Sequence, residues 1–330
     1  MKNSIKRLIP ILAASSLILA SCAGTDDSST QKSQTTTTSA VTSAPESSSQ
    51  TETTTTTQEV PYMDNFKDSV AELIPTGYDE ERDGVKYGEF QKYVYYSSTA
   101  ERDTNVNVLL PPDYSKDKKY PVLYILHGYY DNEDWMARRI VNLSKIYGNL
   151  LADGKAEEMI IVAPYIFCDK NLPYCTGMNM ENNMAYDNFI NDLTTDLMPF
   201  IESEFSVATG KENTAITGFS MGGRESFFIG FKHPELFGYI GSCCTAPGLV
   251  GGYGCPLKEE EMMFSEGNEP YIVFISSSKT DGVVGQNPDI YRNLMTKNGV
   301  DYISHVMAST GHDHSSVRPH LYNFLQMLFK

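Results

Sequence analysis

The chain has 330 residues, of which 41% are hydrophobic and 21% charged, and a formal net charge of −16. So acidic a balance argues against nucleic acid and anionic polymers as partners, because like charges repel them from the surface. The length admits one large α/β domain or two average ones, so organisation is carried by shifts of composition along the chain.

The first shift is at the start. Lys2, Lys6 and Arg7 precede an apolar run from Leu8 to Ala20, the layout of a signal peptide over residues 1–21, too short to span a membrane as a mature helix. The run ends Leu19-Ala20-Ser21-Cys22, which resembles the lipobox of bacterial lipoproteins. That resemblance implies lipidation of Cys22 and an extracytoplasmic, cell-surface protein held on the membrane by its acyl chains. Loss of the three positive residues takes the mature charge from −16 to −19. Residues 22–58 are dominated by Ser and Thr, with Thr53 to Thr57 consecutive. They have too little apolar surface to bury, which predicts a disordered tether whose use is reach.

Residues 59–330 alternate short β-rich runs with amphipathic stretches. Val106, Val108 and Leu110 alternate with polar residues as a half-buried strand, stopped by Pro111-Pro112. The continuous apolar runs Pro121 to Leu126, Met159 to Ala163 and Tyr271 to Ile275 predict strands buried on both faces of a parallel sheet. Phe189, Leu193, Leu197, Phe200 and Ile201 share one face of a predicted helix. A second helix is bounded by a capping Asn287, Pro288 at its first position and Gly299 past its end. Strand and helix in succession predict a doubly wound α/β fold, mostly parallel, with helices on both faces.

The strand Thr214 to Thr217 runs into Gly218-Phe219-Ser220-Met221-Gly222. This G-x-S-x-G pattern between strand and helix is the nucleophile elbow of the α/β-hydrolase fold, with Ser220 as nucleophile. The backbone N–H of Met221, at the helix start, and that of Tyr129, after Leu126-His127-Gly128, are the candidate oxyanion donors. The base follows the serine in chain order, and His312, in Gly311-His312-Asp313-His314, is best placed. His314 and His320 are expected to serve the surface or packing. Asp281, past the strand starting at Tyr271, is the expected acid; its rival Asp289 is better explained as a first-turn charge on its own helix. Tyr129, Tyr130 and Trp135 are candidates to stack on a sugar or an aromatic acyl ring, Trp135 having a core role as its alternative. Beyond Cys22 there are five cysteines: Cys168, Cys175, Cys243, Cys244 and Cys255. The odd count leaves at least one free thiol, Cys168 and Cys175 are the expected loop-closing pair, and no zinc-ligand spacing is present, so no metal is expected.

Leu126-His127-Gly128 with Trp135, the Gly218 to Gly223 elbow, Lys232-His233-Pro234-Glu235-Leu236-Phe237 and Thr310-Gly311-His312-Asp313 together resemble carbohydrate esterase family 1, the feruloyl and acetylxylan esterases, and the related esterase D group. The resemblance covers roughly residues 85 to 330. It implies hydrolysis of acyl esters on plant cell-wall xylan, with an esterified polysaccharide or oligosaccharide as partner and no cofactor. Arg224-Glu225 and His314 depart from the family's usual residues. A general carboxylesterase or acyltransferase on the same scaffold, and a non-catalytic glycan-binding surface lipoprotein, stand as the alternatives.

Overall fold

In the computed structural model, residues 62–330 are described with the exception of Arg139. The signal segment 1–21, Cys22 and the tether 22–58 therefore lie outside the described residues.

Eight strands form one sheet: β1 (Phe90–Ser97), β2 (Arg102–Leu109), β3 (Val122–Leu126), β4 (Ile160–Pro164), β5 (Thr214–Gly218), β6 (Tyr239–Cys243), β7 (Ile272–Ser278) and β8 (Ile303–Met307). Their spatial order is β1-β2-β4-β3-β5-β6-β7-β8. The hairpin β1–β2 and the β2–β4 contact are antiparallel, and every other pairing is parallel. This is the α/β-hydrolase arrangement anticipated from the alternating pattern.

Every residue of β3, β4, β5, β6 and β7 is buried. Helices cover both faces of these strands, so neither face can be polar, and an unbroken apolar run is what such a strand requires. At the edge, β8 alternates, with Ile303, His305 and Met307 inward and Ser304 and Val306 outward. The parallel strands β3, β5, β7 and β8 all end toward one rim of the sheet, and the segments leaving that rim carry the site described below, as is general for open α/β sheets.

Three expectations need correction. The helix expected across Phe189 to Ile201 is broken into Phe189–Asp192, a π-helical turn Leu193–Leu197, and Met198–Glu204. Pro199 lies in the first turn of the last piece and lacks the N–H that would continue the ladder. The apolar face survives the break, since Phe189, Leu193, Leu197 and Ile201 are all buried. The helix Asn287–Lys297 starts one residue early: Gln286 is the N-cap, and the Asn287 amide donates backward to the Val284 carbonyl at 2.6 Å. Gly299 ends it at φ 75°, a left-handed conformation that glycine adopts without strain.

The third correction concerns the cysteines. All five described cysteines are free thiols, and Cys168 and Cys175 are not joined. Cys168 Sγ lies 3.8 Å from Ser97 Oγ in the core, whereas Cys175 Sγ lies 3.8 Å from the Gly177 carbonyl. Burial pushes the Cys168 thiol up to about 12, so it serves as a small packed hydrophobe.

Candidate active site

Ser220 stands between β5 and the helix Met221–Lys232 with φ 57° and ψ −113°. A serine in this region of backbone space carries strain on the order of 1–3 kcal/mol, held in place by its surroundings. Here the hold is backbone to backbone: the Ser220 N–H donates to the Cys243 carbonyl at 2.9 Å, and its carbonyl accepts from Arg224 at 3.0 Å and Ala246 at 3.1 Å. The flanking glycines are required by contact. A Cβ on Gly218 would lie 2.4 Å from Gly222, and one on Gly222 would lie 2.2 Å from the Leu126 carbonyl oxygen. The helix therefore reaches the sheet only because neither residue has a side chain.

From this elbow the Ser220 hydroxyl meets His312 Nε2 at 2.9 Å, and His312 Nδ1 meets Asp281 Oδ2 at 2.7 Å. The Asp281 side chain is wholly buried and that of His312 is 15% exposed. The other carboxylate oxygen, Oδ1, accepts from the Val283 N–H at 2.9 Å and the Val284 N–H at 3.3 Å. With the carboxylate accepting from Nδ1–H, the Nε2 lone pair is left for the serine proton. Burial raises the Asp281 carboxyl, but its bonds to His312 and to the two N–H groups outweigh that and hold it below the usual range. Burial likewise pulls the His312 imidazole down, yet Cys244 and Asp281 move it above its ordinary value. Hydrogen bonding with Cys243 and burial keep the Cys244 thiol protonated, so the Asp281 carboxylate is the partner that carries charge.

Asp289 is elsewhere. It binds Arg292 Nη1 at 2.7 Å on its own helix, with its side chain 68% exposed. His314 opens the final helix, His314–Leu325. His320 is a packing residue between β5 and β7, bonded to Thr217 Oγ1 and Ser276 Oγ at 2.7 Å each, and burial pushes it down to about 3. Cys244, Asp281 and His312 offer three potential metal-ligand atoms within 4.8 Å of one another, a group that does not include His314.

The Met221 and Tyr129 N–H groups have no protein acceptor among the described residues, which leaves both available to an oxyanion beside Ser220. His127 explains how the second is aimed. Its Nε2 accepts from the Ile166 N–H at 3.1 Å, so its proton is on Nδ1, which donates to the Gly128 carbonyl at 2.8 Å. That bond fixes the Gly128–Tyr129 peptide. Burial pushes the His127 pKa down to about 4, so it stays neutral and keeps this tautomer.

A cavity of about 370 Å³ opens over Ser220, lined by Tyr129, Met178, Met180, Tyr253 and Val283 among others. Its walls are the first turn of the helix Met180–Asp187 with the two residues before it, and an irregular segment around 246–255. Arg224, fully buried, ties them together: its guanidinium contacts Asp187, at the end of the helix Met180–Asp187, and Glu225, and donates to the Gly248 carbonyl at 2.9 Å. The unusual charge pair after the elbow thus sits beneath the cavity. Trp135 does not line the cavity. Its ring lies flat on Phe219, 5.1 Å away and 3° from parallel, and Phe219 in turn contacts His312 at 4.6 Å. Tyr130 is 56% exposed and faces a neighbouring cavity. The sequence marks Arg224 only as a departure from the family's usual residues, because its partners Asp187 and Gly248 are distant along the chain.

The family model described as "Putative esterase" matches residues 97–265. A solved ferulic acid esterase of carbohydrate esterase family 1 from Anaeromyces mucronatus, in complex with ferulic acid, is 36% identical, with a TM-score of 0.75 and coverage of 79% of this chain and 97% of that one. An endo-1,4-beta-xylanase/feruloyl esterase from Xylanibacter ruminicola is 29% identical over 255 residues, 76% of this chain and 32% of that protein. The chain thus spans about a third of that relative's length. An acetyl esterase from Caldicellulosiruptor saccharolyticus is 28% identical over 167 residues, covering 47% of this chain and 55% of that one.

Proposed function

Because the chain belongs to this esterase family and is a serine carboxylic-ester hydrolase, we propose that it removes acyl groups, feruloyl or acetyl, from plant cell-wall xylan through an acyl-enzyme on Ser220. The observation that carries the reading is the hydrogen-bonded line Ser220–His312–Asp281 at the floor of an open cavity.

In the proposed reaction His312 Nε2 takes the Ser220 proton as Oγ attacks the acyl carbonyl carbon. The N–H groups of Met221 and Tyr129 receive the developing oxyanion, each such donor being worth about 3 kcal/mol in the transition state. Collapse of the tetrahedral intermediate breaks the ester C–O bond, and His312 returns the proton to the departing sugar oxygen. Water then repeats the sequence against the acyl-enzyme, with His312 again as base, and the free acid leaves. Every proton passes through one imidazole, so no cofactor is required.

Met178, Tyr253 and Val283 at the cavity are exposed apolar side chains, and such a lining suits an aromatic acyl group better than acetyl. Feruloylated and acetylated xylan fragments, assayed side by side for released acid, are expected to give ferulate with the higher kcat/KM. Faster acetate release would reverse the acyl preference, and release of neither would remove xylan as the substrate.

We also place the enzyme on the cell surface through Cys22. Cys22→Ser is expected to abolish incorporation of labelled palmitate and to move the protein out of the membrane fraction. A wild-type protein that takes up no palmitate has no such anchor.

A further inference from the structure

A second cavity, about 380 Å³, lies on the other side of the Tyr129–Tyr130 turn. Six of the residues around it matter here: Asn105, Tyr130, Asp131, Asn132, Tyr165 and Tyr174. Tyr130 and Tyr174 are 56% and 63% exposed, so both rings present open surface to this cavity. Among the described residues, the hydroxyls of Tyr130 and Tyr174, the Asp131 carboxylate and the Asn105 side-chain amide have no hydrogen-bond partner. Asn132 uses its Oδ1 on the Asp134 N–H at 3.1 Å, which leaves its amide N–H groups available. Tyr165 is held in place by its hydroxyl on the Pro173 carbonyl at 3.3 Å and by stacking on His127 at 5.6 Å.

Rings with apolar faces, together with unused amide, hydroxyl and carboxylate groups, complement one class of ligand above others. A sugar ring has C–H faces that cover aromatic surface and a rim of hydroxyls that both donate and accept. The net charge of −16 and the presence of Asp131 favour a neutral sugar over an acidic one.

The position matters as much as the composition. A Cβ placed on Gly128 would stand 3.3 Å from Asp131 Oδ2 and 3.5 Å from Ser220 Cβ, so this cavity adjoins the nucleophile at Gly128. The same Cβ would stand 3.4 Å from the Phe219 ring, which contacts His312 at 4.6 Å, so the imidazole is on this side too. His312 must hand its proton to the departing alcohol oxygen, so the alcohol half of the ester belongs on the side of Ser220 that His312 faces.

We propose that the cavity formed by Asn105, Tyr130, Asp131, Asn132, Tyr165 and Tyr174 is an alcohol-side subsite that holds a neutral sugar ring of the substrate, while the acyl group occupies the cavity of Met178 and Tyr253. The assignment rests on the reading of the protein as a polysaccharide esterase. The ester thereby straddles the Gly128–Tyr130 turn, with its carbonyl at the oxyanion donors.

The test titrates Ser220→Ala protein with methyl ferulate and with a feruloylated arabinoxylan oligosaccharide, which carry the same acyl group on different alcohols. The oligosaccharide ester is expected to bind about tenfold more tightly, the scale of a well-formed ring contact. Tyr174→Ala in the same background is expected to remove most of that advantage, and Asn132→Ala part of it. The Tyr174 side chain is exposed and its loss leaves the fold intact, while a thermal melt of Asn132→Ala accounts for the lost Oδ1 bond to the Asp134 N–H. An advantage that persists in both variants, or none to begin with, overturns the subsite. Ferulate release by the wild-type enzyme separates the two ideas: hydrolysis of both esters with no sugar advantage removes the subsite alone, whereas inertness toward the oligosaccharide removes the polysaccharide reading and the subsite with it.

Discussion

Ser220→Ala is expected to lower kcat by about four to six orders of magnitude while the protein remains folded. The substitution removes one atom, Oγ, the hydroxyl oxygen that hydrogen-bonds His312 Nε2. Everything that builds the elbow is backbone: the Cys243, Arg224 and Ala246 hydrogen bonds and the glycine contacts at 218 and 222. Alanine at φ 57° meets much the same strain as serine, so the melting temperature should move by no more than a few degrees. Activity that survives would be the contribution of the oxyanion donors acting on water attack. The measurement is kcat on p-nitrophenyl acetate beside a thermal melt. Residual activity within tenfold of wild type would remove Ser220 from the mechanism.

Asp281→Asn is expected to cost about 10⁴ in kcat, for a reason specific to how this carboxylate is held. Oδ1 accepts from the Val283 and Val284 N–H groups, so an asparagine must keep its oxygen there. Its NH₂ group then faces His312 Nδ1. A donor at that position turns Nδ1 into the acceptor and moves the ring proton to Nε2, where it blocks transfer from the serine. The pH profile carries a second signature. His312 is held above its ordinary 6.5 with the Asp281 charge as a cause, and the protonated imidazole cannot act as base, so kcat/KM is expected to fall as pH drops through a value above about 6.5. Without the carboxylate the imidazole loses that stabilisation, and the acid limb of any residual activity shifts downward. Asp289→Asn should change kcat less than about twofold, its carboxylate being an exposed partner of Arg292 on its own helix. A large loss in Asp289→Asn beside a near-normal Asp281→Asn would reverse the assignment of the acid.

Both experiments concern residues that could be named from the sequence, and the reason is local. Ser220 is announced by glycines whose spacing follows from a strand and a helix touching, and that contact is written within ten residues. His312 and Asp281 follow from chain order and from their place past the ends of β8 and β7. The buried strands were visible because burial on both faces leaves an uninterrupted apolar run. The features missed have the opposite character. Leu193–Leu197 became a π turn because Pro199 breaks a periodicity that is otherwise helical. The walls of the Ser220 cavity come from the start of a short helix and an irregular segment far from it in the chain, and their union at Arg224 depends on Asp187 and Gly248, 37 and 24 positions away. Cys168 and Cys175 looked like a pair by separation alone, yet one is buried against β1 and the other lies in the loop beyond. Spacing constrains what neighbours along the chain can do and is silent about which distant segments will meet.

The parallel stacking of Trp135 on Phe219 makes the protein its own spectroscopic reporter. Trp135 is the single tryptophan in the chain, and light absorbed beyond the tyrosine band therefore excites one indole only. That indole is separated from the proton-carrying imidazole by the thickness of one phenyl ring. Any event that tilts Phe219, from ring protonation to arrival of the substrate or formation of the covalent intermediate, changes the environment of the one emitter, so the individual steps of turnover are open to stopped-flow fluorescence without a label.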